Sequence, residues 1–150
     1  MSEAGSVKIR KVEAKDKPAW RQLFQGYIAF YEATVAEEVI ELTWRRLLDA
    51  DSGLVGLVAV DADDRPFGLA HVLFHISTWC PTTYCYLEDL FVDPSHRGSG
   101  AGRALIEAVY READARGSTR TYWVTHDTNA TARALYDQVA SKAPFVQYRR

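Results

Sequence analysis

The chain has 150 residues, of which 47% are hydrophobic and 25% charged, with a formal net charge of −2. That length fits one domain, residues 1–150, able to bury about two thirds of its unfolded surface without staples, and the composition excludes disordered and collagen-like classes. The small net charge gives no electrostatic footprint for nucleic acid, and no run approaches the length of a membrane span, so a cytoplasmic location with neither partner is expected.

Met1 to Val7 contain no apolar signal region. Val7, Ile9 and Val12 then predict a short first strand. Pro18 suits the first turn of a helix whose broad apolar face is Trp20, Leu23, Phe24, Tyr27, Phe30 and Tyr31. Phe30 is expected in the core. Tyr27 and Tyr31 carry hydroxyls that need partners, so they suit either core or the wall of a substrate pocket. Thr34 followed by Glu37 reads as a capping box for a second helix, with Val39, Ile40, Trp44, Leu47 and Leu48 on its face.

Three strand-like runs follow, at 54–60, 67–77 and 83–92, joined by polar turns, and they predict an antiparallel meander. Leu105, Ile106, Val109, Tyr110 and Ala113 mark a helix over 100–116, with Gly117 placed to stop it. A strand at 121–125, a helix at 129–139 and a last strand at 145–148 complete the order β-α-α-β-β-β-α-β-α-β. That order defines an α/β fold with a mixed central sheet, in which the third helix makes a parallel crossover. Four tryptophans suggest a well-filled core.

Cys80 and Cys85 do not form a Cys-x-x-Cys pair and read as free thiols. His71, His75, His96 and His126 form no ligand pattern, so no metal site is expected. His71 and His75 share strand parity and read as surface or partly buried strand histidines.

Between the third strand of the meander and the third helix stands Asp93-Pro94-Ser95-His96-Arg97-Gly98-Ser99-Gly100-Ala101-Gly102-Arg103. Small residues before a helix leave its first N–H groups accessible, and the helix dipole favours an anion there. A Walker loop would need a lysine, which the run lacks. A dinucleotide fingerprint would need its third glycine at Arg103 or Leu105. What fits is Arg97-x-x-Gly100-x-Gly102, which resembles the pyrophosphate loop of the GNAT superfamily of N-acetyltransferases. Asn129-Ala130-Thr131-Ala132-Arg133-Ala134-Leu135-Tyr136 is similar to the family's Asn-x-x-Ala-x-x-Leu-Tyr helix, and the element order matches along almost the whole chain.

The resemblance implies acetyl-CoA as co-substrate. In it, the backbone from Arg97 through Gly98, Ser99, Gly100, Ala101, Gly102 and Arg103 holds the pyrophosphate. Amides around Leu90, Phe91 and Val92 face the thioester, Asn129 and Arg133 lie on the coenzyme side, and Tyr136 meets the sulfur. It further implies direct attack by the amine in a ternary complex, and a homodimer joined through C-terminal strands. Tyr86 to Val92, the stretch from Leu135 to Phe145 and the Tyr27, Phe30, Tyr31 segment are similar to the fungal histone and D-amino-acid acetyltransferases and to the polyamine acetyltransferases. Val139-Ala140-Ser141 replaces the usual Gly-Phe pair of that branch, which leaves open whether the acceptor is a small amine, polyamine, amino acid or lysine.

Acyl transfer to an amine needs a base, a site for the developing oxyanion and a proton for the leaving thiolate. Glu88 and Asp89 are adjacent carboxylates within an apolar strand, which is costly unless they are solvated or paired and so points to a pocket. Alternation puts them on opposite faces unless a bulge intervenes. Glu88 is the favoured base, directly or through water, with Asp89 the alternative, and both are candidates for holding the amine. A non-catalytic module that binds coenzyme A is the competing reading. A nucleotide-binding module is set aside by both failed glycine patterns.

Overall fold

A computed structural model describes residues 7–150, so most of the leader reading at Met1 to Val7 falls outside it. The elements run β1 (Lys8–Lys11), α1 (Lys17–Phe30), α2 (Glu37–Leu48), β2 (Leu54–Val60), β3 (Pro66–Ile76), β4 (Thr83–Val92), α3 (Ala101–Ala115), β5 (Arg120–Tyr122) and α4 (Ala130–Val139). The strands form one mixed sheet in sequence order, antiparallel from β1 to β4 and parallel between β4 and β5. The predicted meander and the α3 crossover are both present.

Each face of the sheet carries a core. Ile40, Trp44 and Leu47 recur at helical spacing on α2 and pack with Trp20, Leu23 and Phe24 of α1 against Leu69 of β3. Leu105, Ile106, Val109 and Ala113 of α3 cover the opposite face, where Ala70, Val72, Cys85 and Leu87 stand. Glu37 and Glu38 open α2 and Arg45 and Arg46 close it, which complements its dipole. Gly117, at φ 72°, ends α3 as expected, its N–H donating to the Asp114 carbonyl.

Several expectations need correction. The α2 N-cap is Ala36 with no side-chain cap, so Thr34 and Glu37 make no capping box. Phe30 is 54% exposed, because it leaves the α1 face one turn beyond the packed residues. Trp79 lies in the β3–β4 turn and is 87% exposed, so only some of the tryptophans fill the core. Residues 145–148 form no strand. No edge of the sheet pairs with them, and Phe145, Val146 and Tyr148 stand exposed. Both cysteines are free thiols, Cys85 buried and Cys80 partly exposed.

An ion cluster ties the N-terminal strand to α1 and to the β2–β3 turn. Arg10 grips the buried Asp16 with two bonds, Nη1 to Oδ2 at 2.8 Å and Nη2 to Oδ1 at 2.9 Å, and its Nε donates to Asp64 Oδ1 at 2.9 Å. Burial opposes ionisation of Asp16, but the Arg10 hydrogen bonds and the Glu13 amide outweigh it and hold the carboxyl below its ordinary value. Arg10→Ala strands a carboxylate that is 2% exposed, so it should cost about 3–5 kcal/mol in urea unfolding. Because the folded-state value is depressed, the Asp16 contribution is complete above the unfolded value near 4 and is lost as pH falls through the folded one. The variant should therefore lose stability less steeply than wild type on acidification.

Candidate active site

The register of β3 against β4 shifts at one point. Asp89 pairs with His71 and Leu87 with Val72, so Glu88 is an extra residue with no partner opposite it. Before this bulge, Cys85 and Leu87 face the α3 side. After it, Leu90 and Val92 take that side, while Phe91 packs with the α1–α2 cluster. The parity of the strand is thereby inverted. Glu88, two residues from Tyr86, and Asp89, two residues from Phe91, both face α1, instead of lying on opposite faces as strict alternation requires.

Asp89 is fixed from behind. His71 Nδ1 lies 2.8 Å from Asp89 Oδ2, and Trp20 Nε1 donates to His71 Nε2 at 2.9 Å. His71 is 1% exposed, which corrects its reading as a surface or partly buried strand histidine: α1 lays Trp20 and Phe24 over it. The Tyr27 hydroxyl is held above its ordinary range, by burial first and then by the Asp89 carboxylate beside it. Glu88 sits at the solvent rim and makes no protein hydrogen bond among the described residues. Partial burial and then the Asp89 charge raise its carboxyl, with His71 acting the other way.

The opposite edge of β4 opens at the same level. β5 pairs with β4 only from Tyr84 to Tyr86, shorter than the predicted 121–125, so the outer edge of β4 has no strand partner from Leu87 to Val92. This gap leaves the outward-facing backbone groups of β4 beyond Tyr86 without a strand partner. At its end, Gly98 and Gly100 take φ of 79° and 82°, a conformation that favours glycine, and Gly100 is the N-cap of α3. The Ala101 N–H is taken by Ser99 Oγ at 3.3 Å, while helix geometry leaves the Gly102 and Arg103 amides facing outward without carbonyl partners. Arg97 is exposed on this loop.

Helix α4 closes the other side of the gap. A Cβ on Gly102 would lie 3.3 Å from Leu135 Cδ2, and Arg103 donates to Gln138. Asn129 occupies the α4 N-cap position without capping it. Its Nδ2 donates to Thr125 Oγ1 at 3.4 Å, which leaves its carbonyl oxygen available. Arg133 Nη1 donates to the Asp127 carbonyl at 2.7 Å. Tyr136 is half-buried, edge-on to Trp123 at 5.4 Å, and its hydroxyl is pushed up to about 12 by burial and then by Tyr31. Tyr31 also packs edge-on to Tyr27 at 5.0 Å, so the two tyrosines link the Asp89 side to the Tyr136 side.

Sequence reasoning missed the Trp20–His71 support and an aromatic wall. Tyr86 and Tyr122 pack at 4.8 Å, and Tyr122 donates from its hydroxyl to His75 Nε2 at 2.7 Å. The parity shared by Tyr84, Tyr86 and Glu88 was the available signal for the wall. The bulge left no such signal.

A splayed parallel pair beside a glycine-initiated helix, with carboxylates on one side and a tyrosine on the other, is an arrangement suited to an acyltransferase that takes a phosphate-bearing thioester. Residues 19–140 match the acetyltransferase (GNAT) family. The D-amino-acid N-acetyltransferase HPA3 of Saccharomyces cerevisiae is 37% identical, over 96% of this chain and 90% of its own. The mycothiol acetyltransferase of Clavibacter sepedonicus is 41% identical over 62% of this chain and 27% of its own. Among solved structures, AAC(6')-Iy in complex with a bisubstrate analog, CoA-S-monomethyl-acetylneamine, superposes with a TM-score of 0.81 at 22% identity, covering 96% and 97% of the two chains. The chain belongs to the GNAT family and is an acetyl-CoA-dependent N-acetyltransferase, with acetyl-CoA as its co-substrate.

Proposed function

We propose that this enzyme acetylates a primary amine that arrives as a cation on the α1 face of the sheet, an amino acid or other small amine ahead of a polyamine or lysine side chain. The bulge carries this reading, because it sets Glu88 and Asp89 on one face at the level where β4 and β5 part. The similarity to a D-amino-acid N-acetyltransferase supports the acceptor class. Tyr27, Tyr31, Glu88 and Asp89 receive the amine. The loop from Arg97 to Arg103 holds the pyrophosphate, with Gly102 and Arg103 among the amides it leaves free, Asn129 and Arg133 flank the pantetheine arm, and an amide between Leu90 and Val92 supports the thioester carbonyl.

Glu88 is the base. Its lone pairs are unclaimed, whereas Asp89 already accepts from His71, so Glu88 takes the proton of the ammonium directly or through water. The freed amine attacks the thioester carbon within a ternary complex, the C–N bond forms as the C–S bond breaks, and the second nitrogen proton passes by way of water to the coenzyme thiolate, which Tyr136 steadies with a hydrogen bond. Cys85 points into the α3-side core and Cys80 lies in the β3–β4 turn, so neither thiol is placed as a covalent relay. A panel of amines with acetyl-CoA, read by released thiol, tests the proposal. Turnover is expected on amino acids or small amines, and coenzyme binding without turnover on any amine would defeat it.

The same proposal places the chain as one domain in the cytoplasm, where reduced cysteines persist. It also makes it a homodimer, supported by exposed Phe145, Val146 and Tyr148 and by the short, open-edged β5. A monomer by light scattering at assay concentration would remove the dimer.

A further inference from the structure

We propose that His71 is a neutral positioning residue, locked by Trp20 in the tautomer that donates to Asp89, so that the Asp89 charge is left for the substrate ammonium. An indole nitrogen only donates, so His71 Nε2, 2.9 Å from Trp20 Nε1, must present a lone pair. The ring proton therefore sits on Nδ1 and points at Asp89 Oδ2, 2.8 Å away. An imidazolium would set two N–H groups against each other at that first contact, in a site 1% exposed where no water can intervene. Trp20 is itself pinned by Trp44 at 4.9 Å and Phe24 at 5.4 Å, so it does not swing aside.

The consequence concerns charge. The Asp89 side chain is 15% exposed, and among the described residues no lysine or arginine pairs with it. The other ionisable groups facing this centre are Tyr27 and Tyr31 from α1 and Glu88 and Tyr86 from β4, with Arg149 of the C-terminal segment bearing on Tyr86. None supplies a positive charge to Asp89 itself. A partly buried carboxylate held by neutral donors is costly until a cation arrives, and the incoming ammonium is that cation. The inference rests on the α1 face being the acceptor site. It adds the device that keeps that face anionic: a protonated His71 would neutralise Asp89 and weaken the attraction for the amine.

Nitrogen-15 NMR of the wild-type imidazoles tests the tautomer without any substitution. His71 should show a protonated Nδ1 and a bare Nε2 in the folded enzyme at its assay pH, and an Nε2–H signal there would overturn the proposal. In kinetics, His71→Leu should lower kcat/KM for the amine roughly 10- to 100-fold with KM for acetyl-CoA unchanged, and His71→Asn, whose amide can replace Nδ1–H, should recover most of it. Trp20→Phe removes the donor that holds Nε2 bare, so an Nε2–H tautomer should appear in its nitrogen-15 spectrum and KM for the amine should rise. Full activity in His71→Leu, equal losses in the leucine and asparagine variants, or an unchanged tautomer and KM in Trp20→Phe each count against it. Asp89→Asn, assayed in parallel, separates the layers. Full activity there removes the acceptor-site reading, whereas a loss there with none in His71→Leu removes only the role of His71.

Discussion

Replacing Tyr136 with phenylalanine is expected to lower kcat roughly 100- to 1,000-fold, the range for losing one hydrogen-bond donor aimed at developing negative charge. KM for acetyl-CoA should change little, because the pyrophosphate loop and the open edge of β4 remain. The displaced hydroxyl value sets the role. With Tyr136 pushed up to about 12 and a thiol near 8.5, full proton transfer to the thiolate is uphill by about 5 kcal/mol. A hydrogen bond to the sulfur as charge builds needs no such transfer. The same displacement fixes the pH behaviour. The group keeps its proton up to the raised value, so no alkaline limb from Tyr136 should appear in kcat below about pH 11, where an unshifted phenol would already be titrating near 10. Unchanged turnover in the phenylalanine variant removes Tyr136 from the reaction, and an alkaline limb near pH 10 that the variant abolishes would show the proton to be held less tightly than its burial implies.

The parts of this site that were legible in the sequence are those built from local pattern. Gly98 and Gly100 ahead of an apolar helix, with Gly102 in its first turn, fix the loop, and the Asn129 to Tyr136 run fixes the far wall, because each needs only the residues it contains. The strands at 54–60 and 83–92 follow from β-prone runs between polar turns, and the structure returns both with the predicted ends. Long-range choices were not legible. Whether Glu88 and Asp89 share a face depends on one unpaired residue opposite β3, and the residues Tyr86-Leu87-Glu88-Asp89-Leu90 read the same with or without it. His71 looked like any strand histidine until α1 laid an indole N–H against it, a contact between residues 51 positions apart. The run at 145–148 shows the converse. Its β-prone composition is real, but a strand exists only where it pairs with another edge, and no edge of this sheet pairs with it.

Glu88→Gln should cost roughly 100- to 1,000-fold in kcat/KM on a lysine-like amine at pH 7 and clearly less on an α-amino acceptor. At that pH an amine near 10.4 is neutral in about one molecule per few thousand, whereas one near 8 is neutral in about one of ten, so the base has far more to contribute in the first case. The ratio of the two losses thus reports which kind of nitrogen the site was built for. Partial burial and the Asp89 charge hold the Glu88 carboxyl above its ordinary value, so it keeps its proton to higher pH and the base form appears later. The acid limb of wild-type kcat/KM should therefore lie above the ordinary carboxylate range and should vanish in the glutamine variant. Asp89→Asn should leave that limb in place, shifted downward because the neighbouring charge is gone, and should raise KM for a cationic amine, since Asp89 accepts the ammonium and does not remove its proton. An acid limb that survives Glu88→Gln and vanishes in Asp89→Asn would exchange the two roles.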